Sequence, residues 1–172
     1  VQLNPSEPGQ PVIAATALQL PAVAVAGGGS ARANDVRVHG VDMRFWTFSP
    51  SPPPWRDIAP GSVVLNEPLA AQLRVNPGDD ILLRVLKPSA LSRDAPLAPE
   101  ENTSTALRLR VQAVARDRQF GRFSLAANQS APFNAFMALP ELQARLGLPG
   151  RANLIVAGLP SLTNAVWAMS QG

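Results

Sequence analysis

The sequence contains no cysteine and no tyrosine, and its 172 residues include a single histidine, His39. Without cysteine there is no disulfide and no thiolate metal site, so the fold must rely on core packing. One imidazole also falls short of the two or three ligands that a zinc site usually takes from histidine and cysteine. A catalytic triad would need a nucleophile on a strained turn, and no G-x-S-x-G pattern is present. We therefore predict that His39 is a solvated or locally bonded residue of a strand, and that the chain is not an enzyme.

The excess of positive charge is small, at +3, and all but one of the basic residues are arginine. The pI of about 10.9 follows from arginine without tyrosine or cysteine to offset it, so it does not by itself indicate a nucleic-acid partner. Acidic residues are scattered, and the neighbours Asp79 and Asp80 follow a glycine. Turn chemistry explains this pair best, with calcium binding as the alternative. We expect no metal, no cofactor and no nucleic-acid partner.

The longest uncharged stretch lies between Glu7 and Arg32, but it does not have the composition of a membrane span. A spanning helix needs about 20 strongly apolar residues, whereas Gln19, Pro21 and three glycines interrupt this stretch. Its AVAVA run resembles a signal-peptide cleavage region, which remains an alternative. We predict instead a pair of strands over residues 12–20 and 22–26, in a soluble piece of a longer protein.

Apolar residues alternate with polar ones in several further segments, which predicts strands. Asn66 is placed to cap a short helix that presents Leu69, Ala70 and Leu73 on one face, and Pro140 begins a second short helix. The predicted fold class is therefore α+β, with a β-rich mixed sheet or sheets and short helices, forming one unit or two small α/β lobes. The predicted strands cover residues 36–42, 63–65, 81–86, 106–115, 134–138 and 153–156.

Several connecting segments have a distinctive composition. Residues 43–48 predict a helical turn, and the proline-rich residues 49–54 predict a surface excursion between Trp46 and Trp55. We expect these two tryptophans to pack on each other, with a docking site as the alternative. Residues 87–104 predict a long loop, functional or disordered, and residues 161–169 predict the start of a helix. Residues 62–85 and 134–157 look alike, either as ordinary strand–helix–strand pieces or as duplicated lobes.

The segment after the strand 106–115 is the best candidate for a contact site. It interleaves basic and aromatic residues, a combination that suits anionic partners. In the alternative, the phenylalanines fill the edge of the core and the arginines are solvated. The candidate residues are Arg116, Arg118, Phe120, Arg122 and Phe123.

An ordered set of motifs resembles the MacB-like extracytoplasmic domain of FtsX-type ABC transporter permeases. The motifs cover residues 35–157, and two further stretches, KPSALSRDAPL and GRFSLAANQ, resemble markers of a subgroup of large bacterial permeases. The N-terminal 30 residues align poorly, and the placement of residues 1–34 in the domain stays open. The other motifs read VRVHGVDMRFW, VVLNEPLAAQLRVNPGDDILLRV, ALRLRVQAVARD and NAFMALPELQARLGL.

The resemblance implies a domain at residues 1–160, followed by a tail or helix start at 161–172. It implies a membrane-anchored permease of the inner membrane whose domain here is periplasmic and commonly has two lobes. A cytoplasmic ABC ATPase would drive motion through the permease, and the domain would bind a periplasmic or extracellular protein or a lipid-linked substrate. It implies no catalytic residue, and it is compatible with a homodimer. The alternative is a free-standing extracytoplasmic binding or adaptor module.

Overall fold

The computed structural model describes residues 13–87, 104–125 and 130–158. Within these ranges the fold is α+β, with one mixed sheet of seven strands and two short α-helices. None of the described helices is long and apolar enough to cross a membrane. The elements are β1 (Ile13–Ala26), β2 (Ala31–Val41), β3 (Ser62–Asn66), α1 (Glu67–Leu73), β4 (Asp80–Leu86), β5 (Ser104–Ala115), β6 (Phe133–Ala138), α2 (Leu139–Leu146) and β7 (Leu154–Gly158).

The sheet closes on itself to form a barrel. Its strand order is β2-β6-β3-β5-β4-β1-β7, and β1 also pairs with β2, so that β1 to β6 form a closed ring. The pairs β2–β6 and β3–β5 are parallel, and the remaining pairs are antiparallel. Strand β7 pairs with the first part of β1, at residues 13–17. Closure leaves the six barrel strands without a free edge along their paired lengths.

One apolar cluster contains residues from all six barrel strands and from both α-helices. Helix α1 contributes Leu69 and Leu73, and α2 contributes Leu142 and Leu146. Helix α2 lies directly against β2, because a Cβ placed at Gly40 would lie 2.9 Å from Leu142 Cδ2. The two helices therefore help to enclose the barrel core.

A second cluster, which we call the aromatic cluster, packs on the other face of the sheet. It holds Phe45 and Trp46 from the 3₁₀-helix Met43–Phe48, together with Phe136 of β6 and Trp55 from the proline-rich segment. The Trp46 and Trp55 rings meet edge to face at 5.3 Å, and both side chains are buried. The predicted mutual packing of these tryptophans is confirmed.

The predicted strand pair at 12–20 and 22–26 is wrong, because the chain forms one continuous strand, β1, through Pro21. Gln19 N donates to Asn153 Oδ1 at 2.7 Å, so the backbone at position 19 faces away from β2. Backbone groups alternate sides along a strand, so position 21 faces the same way as position 19. On that side β7 pairs with residues 13–17 and β4 with residues 22–26. On that side Pro21 lies between the ends of β7 and β4, where a backbone N–H would have no strand to donate to.

The other predicted strands, the helical turn and both short helices are confirmed. The strand predicted at 36–42 begins five residues earlier, at Ala31, and the other ends shift by at most two residues. Asn66 caps α1 as predicted, since Leu69 N donates to its Oδ1 at 3.2 Å. The turn before β4 is also confirmed, because Asn76 N donates to Asp79 Oδ2 at 2.8 Å. Of the loop predicted at 87–104, residues 88–103 lie outside the described residues, and Ser104 already belongs to β5. The helix start predicted at 161–169 also lies outside them.

Candidate functional site

The candidate segment begins where the chain leaves β5 and folds into two consecutive tight turns. Gln119 N and Gly121 N donate to Arg116 O at 2.8 and 3.0 Å, and Phe123 N donates to Phe120 O at 2.9 Å. Gln119 Oε1 accepts from Arg116 N at 3.1 Å, which closes the first turn from the side chain. All five predicted contact residues lie in this compact unit.

Gly121 is required by a close backbone approach rather than by a positive φ. A Cβ at this position would lie 2.8 Å from both Ala115 O and Arg116 O, which are backbone atoms that cannot swing aside. The preceding residue, Phe120, has φ 57°, a left-handed conformation that directs the chain back towards the barrel. The Phe-Gly step therefore fixes the path of the segment.

Phe120 and Phe123 point into the aromatic cluster and are half-buried. Their ring centroids lie 5.2 and 5.1 Å from that of Phe45, and 5.5 Å from each other. Such distances are typical of packed aromatic pairs. These two side chains anchor the segment and are not exposed as platforms for a partner.

The three arginines lie on the opposite, solvent side of the segment. Arg122 pairs with Asp117 at 2.9 Å, with both side chains more than half exposed. Arg118 contributes its backbone oxygen, which accepts from Ser51 N at 2.9 Å. The structure thus separates the five predicted residues into two inward phenylalanines and the outward Arg116, Arg118 and Arg122.

Two buried asparagines from different strands hold the segment in place. The side-chain amides of Asn66 in β3 and Asn134 in β6 both donate to Gly121 O, at 2.7 and 3.1 Å. Asn134 Nδ2 also donates to Phe123 O at 2.9 Å, and Asn66 Nδ2 donates to Pro132 O at 2.7 Å. Asn66 Oδ1 in turn accepts from Asn134 N at 3.1 Å, so the two residues form one network.

Sequence reasoning assigned Asn66 only as a helix cap and did not single out Asn134. The signal that could have found Asn134 is that it is a polar residue at the start of an apolar strand, followed by the buried residues Ala135 to Met137. A polar side chain in such a strand needs internal hydrogen-bond partners.

His39 joins the same network: it is a bonded residue of a strand, and of the two predicted options the solvated one is wrong. Its side chain is fully buried, stacked on Phe136 at 5.1 Å and edge-on to Phe123 at 5.5 Å. Strand β2 lies between β1 and β6, and position 39 is covered by the aromatic cluster, so alternation along β2 does not expose it.

The hydrogen bonding of His39 fixes its tautomer. Its Nε2 lies 3.2 Å from Asn134 Oδ1. Because the amide oxygen Oδ1 of Asn134 can only accept, we assign the ring proton of His39 to Nε2. Burial lowers the pKa of His39 from 6.5 to about 4; the hydrogen bond to Asn134 opposes this shift, and Arg37 adds a smaller lowering effect. His39 is therefore a neutral, structural residue at neutral pH.

The described residues contain no group of three or more histidine, aspartate or glutamate side chains placed to hold a metal ion. Asp80 pairs with Arg108 at 3.1 Å, and Asp79 caps its own turn. In comparisons with known proteins, no family model matches the chain and no curated protein matches it significantly.

Proposed function

We propose that this chain is the non-catalytic extracytoplasmic domain of an FtsX-type ABC transporter permease, of the MacB-like kind. One observation supports this above the others. The four ordered motifs of the resemblance coincide with successive elements of a single closed barrel: β2, then β3 to β4, then β5, then β6 and α2. In this proposal the full-length protein is anchored in the inner membrane, the barrel is periplasmic, and a cytoplasmic ATPase supplies the energy.

Residues 116–123, which we call the arginine segment, are held by the barrel in a way that suits the transmission of motion. Gly121 O is fixed by Asn66 and Asn134, which belong to the neighbouring strands β3 and β6. The phenylalanines add packing contacts on the same side. A displacement of the barrel would therefore move the segment with it instead of being absorbed by a compliant loop.

In this proposal the contact with the partner or substrate is made by Arg116, Arg118 and Arg122. Their guanidinium groups suit carboxylates or phosphates, in a periplasmic or extracellular protein or a lipid-linked substrate. Phe120 and Phe123 serve a positioning role. No nucleic acid or cofactor takes part in this proposal, and the proposal is compatible with a homodimer.

A topology experiment tests the location. The chain has no native cysteine, so Ser30→Cys in the exposed turn between β1 and β2 gives a single reporter once any cysteine elsewhere in the full-length protein is replaced. We expect a membrane-impermeant maleimide to label it in cells whose outer membrane alone is permeabilised. Val64→Cys, at a fully buried position, is the matched control and should react only after denaturation. Labelling of Ser30→Cys only after lysis of the inner membrane would contradict the proposal.

A second experiment tests the proposed contact. Arg116→Ala/Arg118→Ala/Arg122→Ala in the full-length permease should leave ATP hydrolysis within about twofold of the parent and reduce transport about tenfold or more. The control, Arg44→Ala/Arg56→Ala/Arg151→Ala, removes three exposed arginines elsewhere, one of them paired with a nearby aspartate as Arg122 is. Equal transport by the two triple variants would refute the contact. If the chain instead occurs without a permease or an ATPase, the adaptor alternative replaces the proposal.

A further inference from the structure

An open groove lies away from the arginine segment, on the outer face of β1, β4 and β5. Its volume is about 870 Å³, and it runs along residues 23–26 of β1 and 80–86 of β4. The seven residues 80–86 span about 20 Å from the first Cα to the last, at about 3.3 Å per residue. The groove therefore has the length of a short extended peptide.

The floor of the groove is apolar. Val23 and Val25 of β1 and Leu82 and Leu86 of β4 face outward here and are only half-buried. Val25 and Leu82 are directly paired across the two strands, which makes a continuous strip. Apolar side chains on the outer face of a barrel, beside a concave surface, are typical of a binding site.

The rim of the groove has an excess of positive charge. It holds Arg32, Arg84 and Arg108 against a single acidic residue, Asp80. Asp80 pairs with Arg108, and Arg32 bonds to the neutral amide of Asn34. The side chain of Arg84 is exposed and makes no hydrogen bond or ion pair within the described ranges. Among the residues that the structure describes, the guanidinium groups of Arg32 and Arg84 are thus left without a carboxylate beside the apolar strip.

One end of the groove is lined by bare backbone. The residues there are Gly27, Gly28 and Gly29, all with positive φ. A Cβ at Gly28 or Gly29 would have no atom within 4 Å, so this rim faces open space. Glycines at such a place allow another backbone to approach closely.

We infer that this groove binds a short acidic segment of a partner protein, with apolar side chains on the β1–β4 strip and carboxylates on Arg32 and Arg84. A membrane surface fits less well, because the two large hydrophobic side chains exposed in the described structure, Leu125 at 65% and Ile155 at 70%, lie outside the groove. The inference does not depend on the permease proposal, since it names a surface that the arginine segment does not use.

The test uses the full 172-residue chain and a fluorescein-labelled peptide of about ten residues that alternates leucine and glutamate. Binding is measured by fluorescence anisotropy, with a leucine–lysine peptide as the charge control. We expect binding of the acidic peptide only, weakened at 500 mM salt. Arg32→Glu/Arg84→Glu should weaken it about tenfold or more. The control Arg56→Glu/Arg151→Glu, at exposed positions outside the groove, should weaken it less than about twofold.

Leu82→Gln tests the apolar strip separately and should weaken binding several-fold. Arg32→Gln/Arg84→Gln keeps the test decisive if the charge reversal impairs folding. Equal binding of both peptides, or equal losses in the groove and control variants, would overturn the inference. So would binding to phosphatidylglycerol vesicles without binding to the peptide. In the chain itself, Asp94→Asn/Glu100→Gln/Glu101→Gln removes the carboxylates of residues 88–103; probe binding about tenfold tighter than in the parent would identify the chain's own segment as the occupant and overturn the inference.

Discussion

The two strand–helix–strand units of this protein are similar locally and differ in where the barrel places them. The first unit is β3, α1 and β4, and the second is β6, α2 and β7. Each helix has a proline in its first turn and ends at a left-handed residue, Arg74 in the first and Gly147 in the second. Yet β4 is paired on both sides, with β5 and β1, whereas β7 pairs only with β1 among the described strands.

This difference shows how far a local pattern determines a structure. The pattern of strand, short helix and turn is set by neighbouring residues, and it is met in both units. Where the last strand of each unit lies depends on β1. This strand pairs with β2 and with β4, the last strand of the first unit, and so closes the ring. The second unit then attaches its last strand to the part of β1 that extends beyond these pairings.

The largest expected effect concerns the asparagine at the start of the first helix. Asn66→Ala removes the cap of α1 and leaves Pro132 O without that donor, and Asn134 N loses its acceptor. We expect the free energy of unfolding to fall by about 4 kcal/mol, because a cap is worth about 1 kcal/mol and each buried polar group left unpaired costs about 1 to 3 kcal/mol. Urea unfolding monitored by tryptophan fluorescence measures it.

The matched control in the second unit is Asn153→Ala. This asparagine makes two side-chain hydrogen bonds where Asn66 makes four; they join Gln19 N and Gln19 O at 2.7 and 2.8 Å, and the residue is exposed. Water can replace its bonds, so we expect a loss of about 1 kcal/mol. Equal losses of unfolding free energy in Asn66→Ala and Asn153→Ala would show that the buried hydrogen bonds of Asn66 stabilise the fold no more than the exposed ones of Asn153.

The next largest effect is the pH dependence of stability that comes from His39, which is hydrogen-bonded to Asn134 of the second unit. Because burial lowers the pKa of His39 from 6.5 to about 4, the unfolded chain takes up a proton first as the pH falls. The contribution of neutral, buried His39 to the free energy of unfolding is therefore fully present above pH 6.5. It is lost between pH 6.5 and about 4, by about 1.4 kcal/mol per pH unit and about 3 kcal/mol in total. Urea unfolding at four pH values across this range measures the slope.

His39→Gln is the control for this slope. Glutamine does not titrate, and His39 is the only histidine. The difference between the unfolding free energies of parent and variant should therefore shrink steadily as the pH is lowered, even while carboxylates titrate in both proteins. Parallel curves for the two proteins would show that His39 is protonated as readily in the folded as in the unfolded chain.

The sequence predicted most elements and little of the network that positions the arginine segment. The capping role of Asn66 was predictable because its partner, Leu69 N, lies three residues away. Its bonds to Gly121 and Asn134 cross 55 and 68 residues, and no local pattern records them. Alternation places Val38 and His39 on opposite faces of β2, but it does not reveal that both faces are covered. Pro21 likewise suggested a break because the gap between the partners of β1 depends on β4 and β7.

A smaller effect compares the last strands of the two units through one substitution. Val85 in β4 is fully buried in the barrel core, and Val156 in β7 is partly buried beside the aromatic cluster. Val85→Ala should lower the free energy of unfolding by about 2 kcal/mol, because it removes two core methyl groups and leaves a cavity. Val156→Ala should lower it by less than about 1 kcal/mol. Urea unfolding of both variants measures the difference, and equal losses would indicate that β7 is as firmly packed as β4.

The smallest effect concerns the helix ends, where the units differ in one residue type. Arg74 ends α1 with φ 55°, and Gly147 ends α2 with φ 69°. A side chain is strained in this left-handed conformation and glycine is not. Arg74→Gly should therefore raise the free energy of unfolding by about 0.5 to 1 kcal/mol, whereas Gly147→Ala should lower it by about 1 kcal/mol. Thermal unfolding of the two variants tests the opposite signs. The same sign in both would mean that the left-handed ends are set by tertiary packing and not by the residue that occupies them.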